Sequence, residues 1–155
     1  MTIRPATPDD ADALCDLHVR SIRVLCAADY TPEQIEAWCR PKAPEKYRKA
    51  MTEGGETMFV AVGEGGSLAG IASFKGDELY AVYVAPASTR RGVGRQLLET
   101  VEVAARKAAT TRLRFRSTLT AVEFYLRCGY EKGEETVSRM SGVEIPCVWM
   151  TKTLS

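Results

Sequence analysis

The stretch Val82-Tyr83-Val84-Ala85-Pro86-Ala87-Ser88-Thr89-Arg90-Arg91-Gly92-Val93-Gly94-Arg95-Gln96-Leu97-Leu98-Glu99 decides how this chain folds. An apolar strand runs into a turn punctuated by two glycines and straight out into a helix. Glycine lets a backbone approach a ligand closely, and the first N–H groups of a helix have no partner of their own. The helix dipole adds positive potential at the same place, so the turn reads as an anion cradle. Arg90, Arg91 and Arg95 add formal charge around it.

Upstream of the turn, Thr57 to Val62, Leu68 to Phe74 and Leu79 to Val84 are short apolar runs. Gly63-Glu64-Gly65-Gly66 and Lys75-Gly76-Asp77 separate them, which predicts three consecutive antiparallel strands. The third is apolar on both faces, as a central strand is when covered on both sides. Earlier still, Thr2 to Ala6 reads as a strand. Thr7-Pro8-Asp9-Asp10, Thr31-Pro32-Glu33 and Pro44-Glu45 open helices that reach about Ala27, Trp38 and Met51.

Downstream, Val93, Leu97, Val101, Ala105 and Ala108 form one helical stripe, with Arg95, Glu99, Glu102 and Arg106 largely opposite. Leu113 and Phe115 alternate with Arg112, Arg114 and Arg116, marking a fifth strand whose arginines fit a solvated face by default and could also reach a phosphate. Thr120-x-x-Glu123 has the form of a capping box, and Ala121, Phe124, Tyr125 and Cys128 share a helical face that ends at Gly129. Tyr130 to Thr153 reads as two strands turning at Ser141-Gly142, with Pro146 marking a bulge or an edge. The expected architecture is one α/β domain over residues 1–155, with a mixed, mostly antiparallel central sheet of about seven strands and helices on both faces.

Composition narrows the function. The 155 residues carry 21 basic and 20 acidic side chains, a net charge of +1, so no global field draws the chain to nucleic acid or an anionic membrane. No run of 18 apolar residues occurs, and Met1-Thr2-Ile3-Arg4-Pro5 leads into Asp9, Asp10 and Asp12 rather than a signal-peptide core; a cytoplasmic setting is expected. Cys15, Cys26, Cys39, Cys128 and Cys147 are odd in number and form no C-x-x-C pair, so reduced, packed thiols and no metal site are expected. His18, the one histidine, lies beside the apolar residues Leu14, Leu17, Ile22 and Leu25, a structural setting.

Nucleotide folds fail on residues. A dinucleotide fingerprint wants a third glycine where Leu97 stands, and a P-loop wants Lys then Ser or Thr where Arg95-Gln96 follows Gly94. Two blocks instead resemble those of the GNAT N-acetyltransferases. The first is Thr89-Arg90-Arg91-Gly92-Val93-Gly94 after Val84-Ala85-Pro86, with Thr89 where that family carries Arg or Gln. The second runs from Ser117-Thr118 through Phe124-Tyr125 to Gly129-Tyr130. The resemblance covers nearly the whole chain. The Thr-Arg-Arg-Gly-Val turn and the tryptophan-containing N-terminal helices further resemble the YafP-like branch.

The resemblance implies a GNAT fold, acetyl-CoA as co-substrate, no metal, and direct transfer of an acetyl group to a primary amine of a small molecule or peptide in a ternary complex. A non-catalytic acyl-CoA-binding regulatory module, or a transferase for another acyl group or acceptor, is the alternative. The backbone of Val82, Tyr83 and Val84 would pair with the pantetheine arm, and Thr89, Arg90, Arg91, Gly92, Val93, Gly94 and Arg95 would hold the pyrophosphate. Thr118 would lie near the cofactor.

Tyr125, a core aromatic by spacing, matches the family's general acid. A phenol of pKa about 10 is a weaker acid than a thiol of about 8.5, so full proton transfer would be uphill by roughly 2 kcal/mol. A hydrogen bond to the departing sulfur is the expected role. Glu78 matches a glutamate base and, by strand parity, shares the face of Tyr80, Val82 and Val84; it also fits a solvated acid beside a turn. Tyr30 and Trp38 would wall the acceptor pocket, though Trp38 fits a core position equally. The expected assembly is a monomer or homodimer, without nucleic-acid or membrane partners.

Overall fold

The computed structural model describes all 155 residues. Seven strands form one sheet in the order β1-β2-β3-β4-β5-β7-β6. They are β1 (Thr2–Pro5), β2 (Thr57–Val62), β3 (Leu68–Lys75), β4 (Glu78–Val84), β5 (Arg112–Thr118), β6 (Glu131–Met140) and β7 (Val143–Thr153). Only β4 and β5 are parallel neighbours. The helices are α1 (Ala11–Leu25), α2 (Pro32–Cys39), α3 (Pro44–Thr52), α4 (Val93–Lys107) and α5 (Val122–Arg127). The mixed, mostly antiparallel architecture expected from the element order is therefore present.

Local chemistry sets the boundaries. Thr31 accepts from the Gln34 N–H at 3.1 Å while the Gln34 side chain accepts from the Thr31 N–H at 2.9 Å, a reciprocal cap that starts α2. The turn at Ser141-Gly142 takes positive φ at both residues, 49° and 78°. Beyond the end of its pairing with β5, β7 bonds only to β6, and there Pro146 opposes Val137; a missing N–H costs nothing at such a local edge.

The core divides between the two faces of the sheet. On one, α4 lays Leu97, Leu98, Val101 and Ala105 against Phe74, Leu79, Leu113, Phe115 and Met150. On the other, α1, α2 and the loop between them bring Ile22, Tyr30, Ile35 and Trp38 against Ile145, while Leu14 and Leu17 pack on Val60 and Ile71.

Two sequence expectations need correction. Glu102, expected on the solvated stripe of α4, is buried, because Tyr130, just before β6, donates to it at 2.7 Å and Lys152 of β7 at 3.1 Å, partners the helix pattern cannot see. Thr120 does not cap α5: Thr118 accepts the Ala121 N–H at 3.1 Å, and the Thr120 hydroxyl donates to Asp29 at 2.7 Å.

Candidate active site

β4 and β5 share a single ladder pair, Glu78 with Arg114, closed by the Arg114 N–H donating to the Asp77 carbonyl at 2.9 Å. Beyond it the strands diverge around a cleft of about 520 Å³, walled by Leu79 to Val84, by Phe115 to Thr118, by the glycine turn and by α5. Backbone alternation decides which groups face it. The Ala85 N–H donates to the Ala69 carbonyl at 2.8 Å, so in an antiparallel ladder Tyr83 and Ala81 also bond to β3, opposite Ile71 and Ser73. Val82 and Val84 turn their N–H and C=O groups toward the gap. The Tyr83 backbone is taken by β3, so of the three strand residues expected to offer groups, two do.

The turn supplies a second set of donors. Arg90 and Gly92 hold φ of 63° and 79°, in the left-handed region, which swings the chain into α4. No backbone N–H from residue 90 to residue 95 meets an acceptor in the protein. Thr89 closes the turn by donating to the Pro86 carbonyl at 3.2 Å. Arg90, Gly92, Val93, Gly94 and Arg95 line the cleft; Arg91 is exposed and lies outside its lining. These free donors at a helix N-terminus fit the oxygens of a pyrophosphate, and the open edge of β4 fits an extended amide chain.

Tyr125 stands at the other wall. Its ring is buried against Phe115 at 4.4 Å, Phe124 at 5.1 Å and Tyr130 at 5.7 Å, yet it lines the cleft and its hydroxyl has no hydrogen-bond partner in the protein. Burial pushes the phenol well above its ordinary value. It therefore stays protonated and available as a donor.

A second cavity of about 320 Å³ adjoins the cleft, sharing Leu79, Tyr80, Tyr83, Arg116 and Thr118 with it. Tyr30, Trp38 and Glu78 all line it. The Tyr30 hydroxyl is engaged, donating to the Pro146 carbonyl at 2.7 Å and accepting the Leu119 N–H at 2.9 Å, and burial pushes its pKa up to about 12. Only its ring is free to touch a ligand.

Glu78 reaches this cavity for a reason that corrects its expected parity. Ser73 opposes Ala81 and Phe74 opposes Leu79, leaving Tyr80 as an extra, unpaired residue: a β-bulge. Cross-strand partners share a face, so Glu78, opposite Lys75, falls with Ala81 and Tyr83, not with Val82 and Val84. Arg114, its ladder partner, turns instead to Asp77 at 3.5 Å.

The family model of the acetyltransferase (GNAT) domain matches residues 26–154. The chain belongs to the GNAT family. This makes it an acyltransferase. No curated protein sequence matches it. Among solved structures it is similar to the GCN5-related N-acetyltransferase "Aminotransferase, Class-II" from Rhodopseudomonas palustris, at 31% identity and TM-score 0.90 over 99% of this chain and 95% of that one. Its fold is shared by the PaiA N-acetyltransferase of Thermoplasma acidophilum in complex with coenzyme A, at 21% identity, TM-score 0.73 and 99% of both chains. It is also shared by the phosphinothricin acetyltransferase of Sinorhizobium meliloti in complex with AcCoA, at 16% identity, TM-score 0.73, 99% of this chain and 88% of that one.

In this GNAT chain, sequence reasoning missed three residues of the second cavity. His18 was assigned a structural place, and it does accept or donate a hydrogen bond with Tyr47 at 2.8 Å, but it also lines the cavity. Arg116 is exposed and lines both cavities, with its guanidinium 5.7 Å from the centre of the Trp149 ring. Lys42 sits in a loop between helices, where no periodicity marks it.

Proposed function

We propose that residues 1–155 form one N-acetyltransferase domain that transfers an acetyl group from acetyl-CoA directly to a primary amine of a small molecule or peptide in a ternary complex. The observation that carries this reading is the parting of β4 from β5, which sets free backbone groups, the α4 donors and the Tyr125 hydroxyl around one cleft. Bound acetyl-CoA would supply an activated thioester carbonyl. The N–H groups of Arg90 to Arg95, with the Arg90 and Arg95 guanidiniums, hold its pyrophosphate, and the backbone of Val82 and Val84 pairs with its pantetheine arm. Thr118 lines both the cleft and the second cavity, near the bound cofactor.

Tyr125 donates a hydrogen bond to the sulfur as charge develops there. The acceptor amine enters through the second cavity, whose wall includes Tyr30 and Trp38, and Glu78 takes its proton, directly or through water. As the new C–N bond forms, the C–S bond breaks and coenzyme A leaves as the thiolate, hydrogen-bonded by Tyr125, and the proton that the acylated nitrogen sheds passes through water to give the thiol. The Thr89-Arg90-Arg91-Gly92-Val93 turn supports placement in the YafP-like branch, and the balanced charge supports a cytoplasmic setting. No helix is long and apolar enough to cross a membrane.

A thermal-shift titration with acetyl-CoA tests the binding half. Ligand at about 100 times its dissociation constant should add roughly 2.7 kcal/mol of stability, and no shift would overturn the reading. Free-thiol release over an amine panel then separates an enzyme from a binding module.

A further inference from the structure

The second cavity has two ends. At one it shares Leu79, Tyr83, Arg116 and Thr118 with the cofactor cleft; at the other it shares His18 and Lys42 with a third cavity of about 250 Å³ under α3. Tyr80, the bulge residue, touches all three. A molecule in the second cavity is therefore polar in its placement, with one end at the cleft and the other at Lys42.

Lys42 is the unusual group at that far end. It is half-buried, and its ammonium makes no hydrogen bond or ion pair in the protein, whereas Lys152, likewise half-buried, pairs with Glu102 at 3.1 Å. The ionisable groups that act on Lys42 are two thiols, Cys39 and Cys15, which burial keeps protonated, and the cation Lys46. Burial lowers its pKa from the ordinary value, the mark of a cation without compensation. The ammonium keeps contact with solvent, and a carboxylate placed in the cavity would give it the partner it lacks.

The charged groups that line the two cavities are of both signs. Facing the second cavity are Lys42, Arg116 and Glu78, and facing the third are Lys42, Lys46 and Glu56. Glu56 accepts from the Ser73 hydroxyl at 2.8 Å. His18, beside Lys42, is held neutral by burial and by that neighbouring cation. At the far end Lys42 thus has no ion-pair partner, although Glu56 lines the third cavity with it; Glu78 lines the second cavity, whose end at the cleft also holds Arg116, its guanidinium over the Trp149 ring.

We infer that the acceptor is an amine that also carries a carboxylate, an amino acid or a short peptide with its free terminus, held with the carboxylate on Lys42 and the amine at the cleft. This rests on the acetyl-transfer reading above and names its substrate class. The cavity of about 320 Å³ suits a ligand of that size. Lys42 acts here as a specificity residue: it selects the acceptor and takes no part in bond making.

The test is acetyl transfer, followed by thiol release, to pairs of amines that differ only in charge: each free L-amino acid and each three- to six-carbon ω-amino acid against its carboxamide. The carboxylate member of the preferred pair should have a KM at least tenfold below its amide. Lys42→Met should raise that KM to the level of the amide, and Lys42→Arg should restore most of the preference, which separates lost recognition from lost folding. Equal or better use of the amides, a preference that survives in Lys42→Met, or transfer to no member of any pair would each overturn the inference. The acetyl-CoA thermal shift stands or falls separately, so failure of this test is distinguishable from failure of the function itself.

Discussion

Tyr125 combines two roles that its spacing left open. Its ring belongs to the core with Phe115 and Tyr130, while its unpartnered hydroxyl lines the cleft. The two roles can be separated by one atom. Tyr125→Phe should lower kcat by about 100-fold, the usual cost of losing one donor to a developing charge. It should change unfolding stability by less than about 1 kcal/mol, because no protein group loses a partner. Steady-state kinetics and urea unfolding check the two halves, and full activity in the variant would remove Tyr125 from the chemistry. Because burial raises the phenol's pKa, its ionisation should produce no alkaline fall in kcat in the neutral range. At this scale the sequence was most legible where a side chain sits in a regular element. Lys42, in a loop, and Arg116, on a strand that reads as solvated, gave no such signal.

At the scale of elements, the strand, turn and helix around Gly92 were readable because each has its own local chemistry. What was not readable was the bulge at Tyr80, since one unpaired residue leaves the apolar pattern of β4 intact while exchanging the faces on either side of it. Glu78 changed sides for that reason. The close fit of α4 to α5 is a second feature that only contacts reveal. A Cβ on Gly94 would meet the Phe124 ring at 3.2 Å and Val84 at 3.4 Å, and that ring packs 5.1 Å from Tyr125. Gly94→Ala should therefore cost about 1 to 3 kcal/mol of stability through overpacking and weaken acetyl-CoA binding as well. Gly92→Ala, whose Cβ meets open space but whose φ is 79°, should cost about 1 to 2 kcal/mol from the backbone alone. Melting temperatures and acetyl-CoA titrations of the two variants separate displacement of Phe124 from backbone strain.

For the whole molecule, stability should depend on pH through one imidazole. His18 is the only histidine, and burial with the nearby Lys42 charge lowers its folded pKa well below the ordinary value near 6.5. The unfolded chain then binds a proton that the folded chain refuses. Stability present above about pH 6.5 should fall as the pH drops below it, by at most about 1.4 kcal/mol per unit. Urea unfolding between pH 7.5 and 5 should show this slope, and His18→Gln should flatten it; an unchanged slope would place the titration elsewhere. The element order and sheet were legible as a whole because strands and helices alternate with clear breaks. The buried Glu102 was not, because Tyr130 and Lys152 lie 28 and 50 residues away from it. The alternation of backbone groups along β4 has a consequence for solvent hydrogen. The amides of Ala81 and Tyr83 are locked into β3, while those of Val82 and Val84, in the middle of a seven-stranded sheet, behave like an outer rim. They should trade hydrogen for deuterium quickly in the free protein and become protected when acetyl-CoA is added, so that a ligand of this fold completes its secondary structure.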